Sequence, residues 1–305
     1  MNDTHFRTST SHPSMTVRSA LLVATALVSV LALSGCASTG TAAGGDSSAS
    51  SASASAPKEK SDGALREAAI SSTKTQDYVS AAAYWGSLYD RNANDTEAAL
   101  NYSKSLRQIG STAQSLTVMQ RARQARPDDA AVLAEFGKAL AASGRPDQAQ
   151  ANLARANQLK PGDWTVLSAE GVALDQLGRY SDAQAKYAEA LKIAPGNPSV
   201  LTNLGLSYAI EGNLDAAEQT LRKAVADPRA SASARQNLAV VLGLKGNFEE
   251  ATRLARADLP ANVADNNIAY LRDMLTQPAL WKQMETLDNE TGAKVSAAQM
   301  DTATP

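Results

Sequence analysis

The sequence predicts an all-α solenoid of antiparallel helix pairs ending in a capping helix, and three observations predict it. Glycine recurs at one phase of a 34-residue period, at Gly110, Gly144, Gly178, Gly212 and Gly246. Small residues recur in two more columns: Ser115, Ala149, Ala183, Ala217 and Ala251, then Ala122, Ala156, Ala190 and Ala224. Aromatic residues make up only 5% of the 305 residues, while Ala, Leu, Gln and Arg are plentiful, which favours helix over sheet. A period of this length marks stacked units, each too small to bury a core alone.

Residues 1–35 read as an export signal. The stretch "MTVRSALLVATALVSVLALSGC" starts at Met15, carries Arg18, and runs apolar from Ala20 to Leu33. That run is too short for a comfortable membrane span and ends in small residues. Leu33, Ser34, Gly35 and Cys36 resemble the bacterial lipobox. The resemblance implies that Cys36 is acylated and becomes the first residue of the mature chain, with Ala37 compatible with outer-membrane sorting. Diacylglycerol plus an N-acyl group anchors stably, where one chain would be marginal. An uncleaved anchor or an incidental cysteine is the other reading, and translation from Met1 or from Met15 both stay open. Cys36 is the sole cysteine, so an internal disulfide is excluded.

Residues 36–63 are the Cys and a tether of Ala, Ser, Gly and Thr, which cannot bury apolar surface. A flexible linker of this length has an r.m.s. span of roughly 30 Å.

The repeats occupy residues 64–260. Five clear units start at Thr96, Ala130, Trp164, Pro198 and Ala232, after a degenerate unit with Tyr78, Ala81 and Trp85 in phase. Each column glycine lies between two apolar helical runs, where a left-handed turn joins antiparallel helices. Leu106, Leu140, Leu174, Tyr208 and Leu242 fill the first helices; Met119, Leu153, Tyr187 and Leu221 fill the second. Pro127, Pro161 and Pro195 end second helices, and Pro228 and Pro260 do so slightly early. With Gly137, Gly171 and Gly205 near position 8, these columns resemble the tetratricopeptide repeat (TPR) family. The stretch "YSDAQAKYAEALKIAPGNPSVLTNLGLSYAIEGNLDAAEQTLRKA" carries the resemblance most closely. Two residues depart from it: Glu170 stands where the family has a large apolar side chain, and Asp258 where it has Ala. Asp258 is expected to face a cap.

Residues 261–290 read as capping helices. Ile268, Leu271 and Leu275 line one face, with a break near Pro278. Residues 291–305 are expected to be disordered.

Composition narrows the function. Lys+Arg 29 against Asp+Glu 31 gives a net charge of -2, with no basic excess to suggest nucleic acid. Both histidines, His5 and His12, lie upstream of Cys36, so cleavage would leave no His and no free thiol for nucleophilic or metal chemistry. No phosphate loop is present, and Asp128-Asp129 and Glu249-Glu250 lie at helix starts, where the macrodipole favours them. No enzyme, cofactor or metal site is expected.

A stacked array offers its first helices as a partner-binding groove. Positions 5, 9, 12 and 13 of the units give Lys104, Arg107, Gln108 and Lys138 at a basic N-terminal end. They give Val172, Gln176, Leu206, Ile210, Val240 and Leu244 at an apolar C-terminal end. Asn101, Asn203 and Asn237 recur at position 6, where a carboxamide can bind a peptide backbone. The same apolar residues could instead pack against neighbouring units, and the convex face stays open as the binding surface. The order of lipobox, tether, repeats and cap, with "NNIAYLRDML" after the last unit, resembles the TadD group of TPR lipoproteins of the tight-adherence (Flp) pilus system. That resemblance implies an outer-membrane, periplasm-facing scaffold whose protein partner is a secretin or another pilus component. Adaptors for β-barrel assembly, for a type IV pilus secretin or for a peptidoglycan enzyme are the alternatives.

Overall fold

The computed structural model describes residues 61–276. The lipobox, the tether up to residue 60, the break near Pro278 and the C-terminal tail lie outside the described residues; the last tether residues are helical instead, since Ser61 caps α1 and Asp62 and Gly63 open it. Among the described residues there are thirteen helices and no strand. They are α1 (Asp62–Lys74), α2 (Tyr78–Arg91), α3 (Thr96–Gln108), α4 (Thr112–Ala125), α5 (Ala130–Ala142), α6 (Pro146–Leu159) and α7 (Trp164–Gln176). Then come α8 (Tyr180–Ile193), α9 (Pro198–Glu211), α10 (Leu214–Val225), α11 (Ala232–Leu244), α12 (Phe248–Ala255) and α13 (Ala261–Thr276). The chain divides into two compact units, up to Asn203 and from Leu204, with the division inside α9.

In the first unit, α1 to α7 each pack against the next helix in sequence, and α3 also packs on α5 and α5 on α7. Connections of three or four residues make these packed neighbours antiparallel. In the second unit α10 packs on α11, α11 on α12, and α13 on both α11 and α12.

Each first helix of the five clear pairs opens with a capping side chain at the same phase. Asp95 accepts from Ala98 N, Asp129 from Ala131 N and Val132 N, and Asp163 from Thr165 N. Asn197 accepts from Ser199 N and Val200 N, and Ser231 from Ala234 N. Such a cap satisfies donors that the helix cannot, and its loss costs about 1 kcal/mol.

The turns close as the glycine column predicts. At Gly110 φ is +79° and at Gly212 it is +102°, a region that only glycine enters without steric cost. The amide after each column glycine reaches back to the first helix: Ser111 N to Leu106 O, Arg145 N to Leu140 O, Arg179 N to Leu174 O, Asn213 N to Tyr208 O and Asn247 N to Leu242 O. This is the Schellman arrangement, which satisfies carbonyls otherwise left bare.

Packing explains the other columns. Met119, Leu153, Tyr187 and Leu221 are all at most 1% exposed, and each such side chain contributes about 1.5–3 kcal/mol by burial. They fit because the facing first helix is thin at position 8. A Cβ on Gly171 would sit 2.6 Å from the Tyr187 ring, closer than packed atoms approach. The phenol of Tyr187 donates to Asp175 Oδ2 at 2.7 Å, so its polar end is satisfied.

The two departures from the pattern have different explanations. Glu170 is 3% exposed on α7, between the second helices on either side. Gln150 Nε2 of α6 lies 3.4 Å from its Oε1, and Lys186 Nζ of α8 lies 3.5 Å from its Oε2. The carboxylate thus bridges two consecutive second helices where an apolar side chain would only fill space. Asp258 does not meet the cap by ion pairing. Its carboxylate takes both ends of the Arg235 guanidinium of α11, at 2.8 and 2.5 Å, because α12 stops at Ala255 and the chain turns back.

Ile268 and Leu271 of α13 are buried and Leu275 is half-buried. Leu271 Cδ2 occupies the space 2.4 Å from where Gly243 would carry a Cβ.

Candidate partner-binding face

The first helices carry every residue predicted for the groove. In the first unit these are Asn101, Lys104, Arg107 and Gln108 on α3, Lys138 on α5, Val172 and Gln176 on α7, and Asn203 on the start of α9. In the second unit they are Leu206 and Ile210 on α9, and Asn237, Val240 and Leu244 on α11. Their environments differ sharply.

Arg107 is turned inward. Its Nε and Nη2 donate to Glu135 Oε1 and Oε2 at 2.9 and 3.1 Å, and Ser103 Oγ donates to the same carboxylate at 3.0 Å. Ser103 in turn bonds Ser115 across the helix pair at 2.8 Å. Glu135 is 2% exposed, so its charge depends on Arg107. Glu135 stands in the column of Asn101, Asn203 and Asn237 at position 6. A carboxylate there, one unit after an arginine at position 12, was the sequence signal for this network.

Lys138 is half-buried and donates to Thr165 Oγ1 at 2.9 Å. Burial lowers its pKa below the ordinary lysine value, Glu135 and Asp163 oppose that, and the charges of Arg107 and Lys104 add to it. Lys104, Arg107, Glu135 and Lys138 therefore form one electrostatic cluster on α3 and α5. Lys104 and Gln108 are exposed and Val172 is half-exposed.

Several carboxamides already have partners. Asn101 Nδ2 donates to Glu97 O, Asn203 Nδ2 to Ser168 Oγ at 3.1 Å, and Gln176 Nε2 to Ala141 O at 3.3 Å. Leu206, Ile210 and Leu244 are half-buried against the core of the second unit, and Leu244 also touches Leu271 and Met274 of the cap. The apolar stripe is thus largely internal packing. The surface that remains is the polar face of α3 and α5 with Val172.

Among the described residues no group of His, Cys, Asp and Glu is placed to hold a metal ion, and no helix is long and apolar enough to cross a membrane.

The tetratricopeptide repeat family model matches residues 135–198 and 168–234. A thermophilic TPR protein of Thermus thermophilus superposes with a TM-score of 0.54 at 19% identity, covering 60% of this chain and 99% of that one. A tetratricopeptide repeat protein of Parabacteroides merdae gives 0.59 at 10% identity, covering 69% and 84%. PilW, described as a widely conserved type IV pilus biogenesis factor, gives 0.52 at 18% identity, covering 64% and 91%. No curated protein sequence matches this chain. The matched residues, 135–234, share their glycine turns and packing columns with the helix pairs on either side.

Proposed function

We propose that this protein is a lipid-anchored TPR scaffold of the outer membrane, facing the periplasm, that binds a protein partner in Flp pilus assembly. One observation carries the binding reading: Lys104 and Gln108 of α3 stay exposed and Val172 of α7 half-exposed, while Arg107 between the first two is locked inward on Glu135. TPR repeats ordinarily bind protein segments on this face rather than catalyse reactions. The anchor reading rests on Leu33-Ser34-Gly35-Cys36 and the tether that follows it. The pilus reading rests on the order of segments along the chain; PilW shares the fold and is itself a pilus factor. The partner is a secretin or a protein that escorts one, through an extended segment with acidic residues opposite Lys104 and Lys138.

Two measurements test the reading separately. Cys36→Ser is expected to release the protein from the outer-membrane fraction, and unchanged processing and sedimentation would refute the anchor. Lys104→Glu with Val172→Asp is expected to lower secretin capture in co-purification by about tenfold, or about 1.4 kcal/mol. A deletion strain with normal secretin multimers and normal piliation would refute the pilus assignment while leaving the scaffold intact.

A further inference from the structure

One edge of the first unit combines apolar tips with unpaired cations. Each helix of this unit is antiparallel to its neighbour, so first helices start and second helices end on the same edge. Ser61 caps α1 there, so the chain from Cys36 enters the fold at that edge. Leu159 and Ile193, the last residues of α6 and α8, stand on it at one repeat position and are 38% and 44% exposed.

Cations flank these two side chains. Arg126 and Lys160 are the C-caps of α4 and α6, Arg123 lies in the last turn of α4, and Lys192 adjoins Ile193. Arg126, Lys160 and Lys192 are exposed and Arg123 is half-exposed. Among the described residues no carboxylate pairs with any of them, because the nearby acids are already engaged. Asp128 lies 3.5 Å from Arg155, while Asp129 and Asp163 accept from the first amides of α5 and α7. Cations at helix ends suit the macrodipole, but the macrodipole gives Leu159 and Ile193 no reason to face water.

We propose that this edge docks on the anionic lipid headgroups of the membrane that holds Cys36, a proposal that rests on the anchor reading above. Negative headgroups attract Lys and Arg close to the surface. The Leu159 and Ile193 side chains enter the boundary between headgroups and acyl chains, where apolar groups of interfacial segments lie. The tether, with an r.m.s. span of roughly 30 Å, keeps the edge near the bilayer, so a contact too weak to bind alone is populated. Lys104 and Val172 lie past the middle of α3 and α7, away from this edge, so docking leaves them open to a partner.

The test uses the purified lipidated full chain in vesicles. Gln158→Cys, at an exposed position beside Leu159, carries a polarity-sensitive nitrobenzoxadiazole dye; Asp147→Cys, exposed at the other end of α6, carries the same dye as control. In vesicles of equal parts phosphatidylcholine and phosphatidylglycerol, the Gln158→Cys dye is expected to gain emission and the Asp147→Cys dye to keep its value in water. Phosphatidylcholine alone, or high salt, is expected to abolish the gain. Arg126→Gln with Lys160→Gln, both at exposed positions, is expected to lower the ratio of docked to undocked chain about tenfold. Leu159→Ser with Ile193→Ser is expected to remove most of the gain. Equal gain at both dye positions, equal gain in the two kinds of vesicle, or full gain in either double variant would overturn the proposal. A gain that rises with the amount of protein per vesicle would also overturn it, by assigning the edge to a second copy of the chain. Failure of the anchor reading shows separately: the parent chain would take up dye at Cys36 and would not float with phosphatidylcholine vesicles. The same comparison of vesicles with the Cys36→Ser chain then decides the edge, and equal behaviour in the two would overturn it.

Discussion

Glu170 sits where an apolar side chain would suit the repeat, and its cost follows from burial. With Gln150 at 3.4 Å and Lys186 at 3.5 Å, neither contact is short, and Oε2 lacks a well-aligned donor. Loosely paired buried ions recover little of their desolvation, and apolar replacements of such pairs are neutral or stabilising by about 1–4 kcal/mol. Glu170→Leu is expected to raise the urea midpoint of the chain, whereas Lys186→Met, which strips the carboxylate of its cation, is expected to lower it. A fall in midpoint for Glu170→Leu would mean that the bridge between α6 and α8 outweighs its desolvation. The sequence exposed this residue as an exception; its two partners, 16 and 20 positions away, needed the packed helices to be seen.

Between elements, ion pairs recur at the joints of successive helix pairs. Arg107 of α3 and Glu135 of α5 are the most buried such pair, so their coupling should be large. Arg107→Met is expected to destabilise by about 3–5 kcal/mol, because it abandons a buried carboxylate. Glu135→Gln in the same chain should recover much of that, and a double-mutant cycle measures the difference. In the second unit, Arg222 of α10 bonds Glu218 and Glu250, and Lys245 bonds Glu218 at 2.6 Å and Asp215 at 2.5 Å. The bond from Lys245 holds Glu218 below its ordinary value of 4.5, and the bond from Arg222 holds Glu250 below the same value. Both carboxylates therefore bind fewer protons folded than unfolded. Their stabilisation is complete above about pH 4.5 and is lost as pH falls through their lower folded values. Melting followed from pH 6 to pH 3 should fall more steeply for the wild type than for Glu218→Gln with Glu250→Gln. Parallel curves would show that these pairs are too solvated to matter.

At the scale of the chain, the repeats end on α13. This helix covers Leu244 and fills the space beside Gly243 with Leu271. A chain ending at Pro260 would expose those residues, since each unit relies on a neighbour to bury its faces. It is expected to bind a hydrophobic dye and to lose protection from hydrogen exchange first in α11 and α12. Unchanged exchange there would show that the last pair is stable uncapped.

Periodicity alone made the helix pairs, glycine turns and small-residue columns legible, because each depends on one residue type at a fixed phase. Backbone handedness demands Gly at the turn, and close helix approach demands Gly, Ser or Ala at the crossing. The same reasoning placed Lys104, Arg107, Lys138, Leu206 and Leu244 on first helices. It could not say which of them face a partner, since that depends on side chains from other units at the same depth. Glu135 draws Arg107 inward, the core takes Leu206, and the cap covers Leu244. The sequence thus determined the repeating backbone, and only the tertiary structure decided which charges are neutralised and which remain to bind, because desolvation and pairing depend on neighbours distant in the chain.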